Sequence, residues 1–160
     1  MIRTGIGFDI HAFAPGRRLI LGGVEFPGAD GLMGHSDADV LCHSIADALL
    51  GAVADGDIGR HFPDTDPRWQ DADSRELLRI VAARVAAGGW RIANVDATVI
   101  AERPRIAAHA AAMRAALARS MDVAVEQVSI KATTAEGMGA LGRAEGIAVL
   151  SIATVEQVPT

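Results

Sequence analysis

Three groups of residues in this sequence have types and spacings suited to chemistry. The first is Asp9-Ile10-His11. Two residues apart on an extended segment, Asp9 and His11 project from the same face and can converge on one ion. His43 is a natural third ligand. One carboxylate and two imidazoles suit Zn²⁺, and three protein ligands leave a fourth position open for a substrate oxygen, as at catalytic rather than structural zinc. Taken alone, Asp-x-His is also what an ordinary polar strand face shows, so a simple surface pair is the alternative.

The second group is His35-Ser36-Asp37-Ala38-Asp39. Ser36 fits a helix N-cap, with Asp37 and Asp39 in the first turn where the helix dipole favours negative charge. Free backbone N–H groups at such an end can receive a phosphate. Ordinary capping accounts equally for Ser36 and Asp39. Asp39 lies four residues before His43, on the same helix face, and can also orient the imidazole from behind. Cys42 points roughly 100° away from His43 around the helix and reads as a packing thiol.

The third group runs from Lys131-Ala132-Thr133-Thr134 through Glu136 to Gly137, Gly139, Gly142 and Arg143. Hydroxyls, exposed backbone donors and a guanidinium can together cradle a diphosphate. Glu136 would then hold a second, harder ion, Mg²⁺ or Mn²⁺, against phosphate oxygens. The segment lacks Walker spacing, and a Gly-rich turn after a strand is in most proteins simply a turn. His61 and His109 read as surface or loop histidines, and Met33, Met113 and Met138 as core or lining residues.

The elements that must position these groups follow from the hydrophobic pattern. Ile2 to Phe13 alternates Ile6, Phe8 and Ile10 against Gly5, Gly7, Asp9 and His11, which predicts a strand with one polar face. Arg18 to Phe26, broken by Gly22-Gly23, predicts a hairpin or bulged strand. Helices are expected from Ser36 to about Asp55, from Asp73 or Ser74 to Ala87, and from about Ile106 to Met121. Strands are expected over Trp90 to Ala101, Val128 to Thr134 and Gly146 to Val155. Between the first two helices, Gly56 to Asp73 is rich in Asp, Gly and Pro and predicts a long loop of the kind that often carries function. The fold class is therefore α/β (α+β): a sandwich of about four mixed strands with helices on one face. The other sheet face carries Val, Ile and Ala as well, so a closed homo-oligomer that packs sheets together is expected.

Composition sets the outer limits. The chain of 160 residues, half of them apolar, supports one domain over 1–160. Acidic residues outnumber basic ones 20 to 15, which argues against a general electrostatic grip on nucleic acid and confines anion binding to local sites. No apolar run reaches the ~18 residues of a spanning helix, no secretory leader precedes the first strand, and Cys42 is the lone cysteine. A cytoplasmic protein without membrane partners is expected.

The motifs in order resemble one family: G-F-D-x-H from Gly7 to His11, G-H-S-D-A-D from Gly34 to Asp39, and H-S-I-A-D-A-L-L-G-A from His43. They continue with G-D-I-G-R-H-F-P-D-T-D from Gly56 to Asp66, A-D-S-R-E-L-L from Ala72 to Leu78 and N-V-D from Asn94 to Asp96. K-A-T-T from Lys131 to Thr134 and G-R-A-E-G-I-A from Gly142 to Ala148 complete the set. This is similar to the 2-C-methyl-D-erythritol 2,4-cyclodiphosphate synthase family of the non-mevalonate isoprenoid route, over Ile2 to about Ala153. The resemblance implies a single-function homotrimer with active sites between subunits. It also implies the substrate 4-diphosphocytidyl-2-C-methyl-D-erythritol 2-phosphate, closed to the cyclic diphosphate with release of CMP.

By the same likeness Asp9, His11 and His43 would hold zinc, while Asp57, Ile58 and Gly59 would hold the ribose or erythritol part. Phe62, Pro63, Asp64, Thr65 and Asp66 would enclose the substrate beside His35 and Ser36. Ala101, Pro104, Arg105, Ile106 and Ala107 would bind cytosine largely through backbone groups. Thr133, Thr134, Ala135, Glu136 and Arg143 would hold the phosphates, with Mg²⁺ or Mn²⁺ at Glu136. His35 and Thr134 would stabilise the transition state. Ala135 and Gly137 stand where many relatives carry a hydroxyl and a lysine, and Ala140 where many carry an aromatic residue lining the trimer channel. A metal-dependent phosphohydrolase and a non-catalytic trimeric binding protein are the alternatives from other classes.

Overall fold

Glycine spacing in the first strand decides how the layers meet. The structure is a computed structural model describing residues 1–159. Its first strand, β1 (Ile2–Leu21), alternates small and large residues at Gly5-Ile6-Gly7-Phe8. The glycines face the first helix, α1 (Val40–Ala52). A methyl group on Gly5 would lie 2.0 Å from the Ala48 carbonyl oxygen, and one on Gly7 1.9 Å from that of Ser44. Helix backbone thus rests directly on strand backbone, and the buried Ser44 hydroxyl closes the contact at 3.1 Å from the Gly7 carbonyl and 2.8 Å from the Ser151 hydroxyl.

The remaining strands are β2 (Val24–Leu32), β3 (Trp90–Ile100), β4 (Val128–Thr133) and β5 (Gly146–Gln157), in the sheet order β2-β1-β5-β3-β4. Among the described residues only β3 and β4 run parallel. The expected count of about four strands becomes five for a local reason. The first half of β1, Ile2 to Ala12, pairs with β5, while the second half bends through register shifts between Ala14 and Ile20 and pairs with β2 instead. The predicted hairpin at Gly22-Gly23 is present, with both glycines at positive φ.

Helices α1, α3 (Ser74–Ala87) and α4 (Ala110–Met121) cover one face. There Val95, Ala97 and Val99 of β3 and Ile147, Val149 and Ala153 of β5 meet Ile45, Leu49, Leu78 and Leu117 in a continuous buried core. The opposite face is open: Ile6, Phe8 and Ile10 are 66, 55 and 51% exposed, beside Leu150 and Ile152. Met113 is core, whereas Met33 and Met138 are exposed. Among the described residues, no helix is long and apolar enough to cross a membrane.

Three local expectations need correction. The cap of α1 is Asp39, not Ser36. The fully buried Asp39 carboxylate accepts from the N–H groups of Leu41 and Cys42, both at 3.1 Å, and from those of Gly22 and Gly23 in the β1–β2 turn, at 2.9 and 2.7 Å. It therefore satisfies first-turn donors that were open to a phosphate, as the capping alternative had it, and its bonds go to these N–H groups rather than to the His43 ring. The stretch Gly56 to Asp73 is not wholly irregular, because Asp57 caps a short helix α2 (Ile58–His61) and Asp66 caps a 3₁₀ turn at Pro67–Trp69. Likewise a 3₁₀ turn at Ala107–His109 precedes α4, where one continuous helix from Ile106 was expected.

Candidate metal centre and its pocket

The strand face that carries Gly5 and Gly7 continues to Asp9 and His11, and the helix those glycines admit carries His43 one residue before Ser44. The close strand–helix contact therefore delivers the third side chain to the first two. Single ligand atoms of Asp9, His11 and His43 all lie within 4.8 Å of one another. His11 Nε2 is 2.9 Å and His43 Nδ1 3.2 Å from the same oxygen, Asp9 Oδ2.

Burial works to raise the Asp9 pKa, yet hydrogen bonds from His11 and His43, with their charges, outweigh it and hold the carboxyl well below the usual range. Burial likewise works to lower His11, and the Asp9 carboxylate together with the Met33 carbonyl outweigh it and raise the imidazole. His11 Nδ1–H donates to that Met33 carbonyl, which can only accept, so Nε2 is the nitrogen turned to Asp9, to which it donates when protonated. Gly34 lies against the same ring: a methyl group there would come within 3.2 Å of His11 Cε1. An anionic oxygen and two imidazole nitrogens directed at one point form a donor set that fits a divalent ion such as zinc.

The triad borders a cavity of about 240 Å³ lined also by His35, Ser36, Ile58, Gly59, Phe62, Asp64, Trp69 and Leu77. His35 reaches it from the loop before α1, its Nε2 3.4 Å from the Asp66 carbonyl. That loop is tied down by Arg17, which donates to the carbonyls of Gly34 at 2.7 Å and Ser36 at 2.6 Å. The wall at Ile58 and Gly59 is set by Asp47, which accepts from the Ile58 N–H at 2.7 Å, while Asp57 caps α2. Pro63 and Thr65 are chain neighbours of the lining residues Phe62 and Asp64, and Asp66 is bound by Arg68 at 2.6 Å.

The third group forms a separate cluster. Glu102 Oε1 accepts from the N–H groups of Ala135 at 3.0 Å and Gly137 at 3.3 Å, and the Ala101 N–H donates to the Thr133 carbonyl at 3.0 Å. The Ala101-to-Ala107 segment, with Pro104, Arg105 and the buried Ile106, is thus laced to the loop holding Thr133, Thr134 and Glu136. Thr134 Oγ1 donates to Glu136 Oε1 at 3.1 Å, and Glu136 sits at φ 52°. Arg143 is engaged with Glu145 at 2.6 Å. Ile10, Ala148, Ile100 and Thr133 occupy one row across β1, β5, β3 and β4. Three strand spacings, roughly 14 Å, therefore separate the two clusters at the same end of the sheet. His35 and Thr134 do not meet within one chain.

A sequence profile of the YgbB family matches residues 2–156. The chain belongs to the YgbB family. Among the relatives of this YgbB protein, the 2-C-methyl-D-erythritol 2,4-cyclodiphosphate synthase of Bordetella avium (strain 197N) is 60% identical over 146 residues, covering 91% of this chain and 90% of that one. The bifunctional enzyme IspD/IspF of Anaeromyxobacter dehalogenans (strain 2CP-C) is 59% identical over 152 residues, which cover 95% of this chain and 39% of that protein. The chain thus spans about two fifths of that bifunctional relative. An IspF structure from Plasmodium falciparum, a CDP complex, superposes with a TM-score of 0.85 at 30% identity over 99% of this chain and 97% of that one.

Several residues that shape the YgbB site escape a sequence reading. Ser74 sits where a capping role already explained it, yet its hydroxyl lies 2.9 Å from His43 Nε2. Trp69 and Leu77 line the pocket from a segment with no period and from the buried face of α3. Arg17, Asp47 and Glu102 act through backbone groups distant in sequence, which no spacing rule exposes. His61 and His109 are not free surface groups: His61 bonds the Asp55 carbonyl at 2.8 Å, and His109 packs on Phe26 with ring centroids 4.3 Å apart.

Proposed function

We propose that this chain converts 4-diphosphocytidyl-2-C-methyl-D-erythritol 2-phosphate to 2-C-methyl-D-erythritol 2,4-cyclodiphosphate and CMP, in a homotrimer. The observation that carries this reading is the convergence of Asp9, His11 and His43 beside an open pocket, in a family whose members carry that synthase name. An oxygen of the 2-phosphate attacks the β-phosphorus, and the bond from that phosphorus to the bridging oxygen of CMP breaks. Both reacting groups are anionic, so the task is to position them and offset their charge. Zinc held by Asp9, His11 and His43, with Mg²⁺ or Mn²⁺ at Glu136, would supply that neutralisation as Lewis acids.

The protein's own residues do the rest. His35 and Thr134 donate hydrogen bonds to oxygens where charge builds up, each worth roughly 3 kcal/mol. Asp57 to Gly59 and Phe62 to Asp66 enclose the erythritol end and exclude water. The backbone of Ala101 to Ala107 receives cytosine, and Thr133, Ala135 and Arg143 flank the phosphates. Two features support the trimer. The exposed Ile6, Phe8, Ile10, Leu150 and Ile152 form an apolar sheet face suited to association, and one diphosphate substrate would join the metal cluster of one subunit to the Thr133–Glu136 cluster of the next. A cytoplasmic setting goes with this reading.

Incubation with the CDP-linked 2-phosphate, Zn²⁺ and Mg²⁺, followed by phosphorus NMR, tests it. CMP and a cyclic diphosphate are expected. Release of inorganic phosphate in their place would instead indicate a phosphohydrolase. His43→Ala should lose bound zinc and CMP release together, and full activity in zinc-free His43→Ala protein would overturn the assignment.

A further inference from the structure

His43 faces the triad through Nδ1, so its other ring nitrogen is turned inward. Nε2 lies 2.9 Å from the Ser74 hydroxyl and 3.1 Å from that of Ser36. Ser74 is fully buried at the first position of α3. Its hydroxyl lies 2.5 Å from Asp37 Oδ1, and its backbone N–H donates to Asp37 Oδ2 at 3.2 Å. The two segments are held together independently of these side chains, because the Asp37 N–H donates to the Ala72 carbonyl at 3.0 Å and the Asp71 N–H to the His35 carbonyl at 2.8 Å.

The direction of every bond follows from the carboxylate end. Asp37 can only accept, so Ser74 must give it its single hydroxyl hydrogen. Lone pairs are then all that Ser74 can offer His43, and Nε2 must be the donor. A proton is thereby held on Nε2, and Nδ1, 3.2 Å from Asp9 Oδ2, is the nitrogen left for a metal, any proton it shares with that carboxylate being displaced on binding. Ser36 fits the same scheme, since its oxygen accepts from the Ala38 N–H at 3.1 Å and lies 3.2 Å from the Ser74 oxygen.

We propose that Ser74 and Asp37 are positioning residues that hold a proton on Nε2 and fix the ring orientation of His43, so that Nδ1 is the nitrogen presented to a metal. The proposal rests on the reading of Asp9, His11 and His43 as a metal site. It assigns a role to a serine and an aspartate that lie outside both the Asp9–His11–His43 group and the pocket lining.

The test uses the full-length protein with ¹⁵N-labelled histidine. In metal-free wild type, long-range ¹H–¹⁵N correlation spectra should show His43 protonated at Nε2. Ser74→Ala should lose that preference and bind Zn²⁺ or Co²⁺ about 10- to 100-fold more weakly. Ser74→Thr, which keeps the hydroxyl, should recover most of the affinity. Asp37→Asn is the sharper variant, because its amide N–H₂ can donate to Ser74 and reverse the chain. His43 should then shift toward the Nδ1–H form, with metal affinity reduced and the fold kept. Wild-type affinity and an unchanged Nε2–H tautomer in both Ser74→Ala and Asp37→Asn would overturn the relay. Wild-type metal affinity in His43→Ala would instead overturn the metal site itself, so the two failures are distinguishable.

Discussion

Asp9 is shared between two imidazoles, and the sharing sets how the site answers to pH. Its folded pKa is depressed, so its contribution to stability is present above the unfolded value and is lost as pH falls through the folded one. The His11 pKa is raised, so its contribution is present below the unfolded value and is lost as pH rises through the folded one. In metal-free protein the pair therefore contributes fully between about pH 4 and about pH 6.5. A metal needs the His11 Nε2 lone pair, so binding must displace that proton. Zinc affinity should rise with pH above about 6.5, and calorimetry in buffers of different ionisation enthalpy should report proton release. Binding heats independent of buffer would contradict this. Cys42 behaves in the opposite manner: burial and the Asp39 charge push its thiol well above the ordinary value. Iodoacetamide should leave it unmodified in the native protein and label it only after unfolding.

Between β1 and α1, the closeness of two backbones matters more than any side chain. Gly7→Ala would place a methyl group 1.9 Å from the Ser44 carbonyl oxygen, so the helix must lift. Because His43 precedes Ser44, the triad should open as well. We predict a loss of several kcal/mol in denaturant unfolding together with lost zinc binding; a variant with either property intact would show that the contact is adaptable. Asp39→Ala should cost about 3 kcal/mol, since buried N–H groups at the helix start and in the β1–β2 turn lose their acceptor together. The two strand patterns were legible for simple reasons. Alternation and glycine placement are local properties of the chain, and so the Gly22-Gly23 hairpin and the polar face of β1 could be read directly. The bend that splits β1 between two partners was not legible, because it depends on which neighbour each half finds.

The molecule as a whole presents two separate clusters at one end of the sheet and one uncovered apolar face. Charge on that face should prevent assembly: Phe8→Asp is expected to give monomers by analytical ultracentrifugation and to abolish CMP release without removing the zinc triad. A monomer with full activity would overturn the shared site. Mixing offers a complementary check. His43→Ala and Glu136→Ala subunits, each inactive alone, should regain activity when exchanged together, with about one quarter of sites intact at equal, random mixing. No recovery after verified exchange would mean that both residues serve the same subunit's site.

Residue type and order alone determined the candidate metal triad, the boundaries of α3 at Asp73 and Gly88, and the family, because ligand chemistry and hydrophobic period are written into short stretches of chain. Tertiary structure decided that Asp39 rather than Ser36 caps α1, what stands behind His43, and how far Thr134 lies from His35. Those depend on hydrogen bonds between segments such as Asp37 and Ser74, or Glu102 and Ala135, which are more than thirty residues apart and share no periodicity. Spacing along a chain constrains what one element presents to its neighbours, and only packing determines which group on another element is there to meet it.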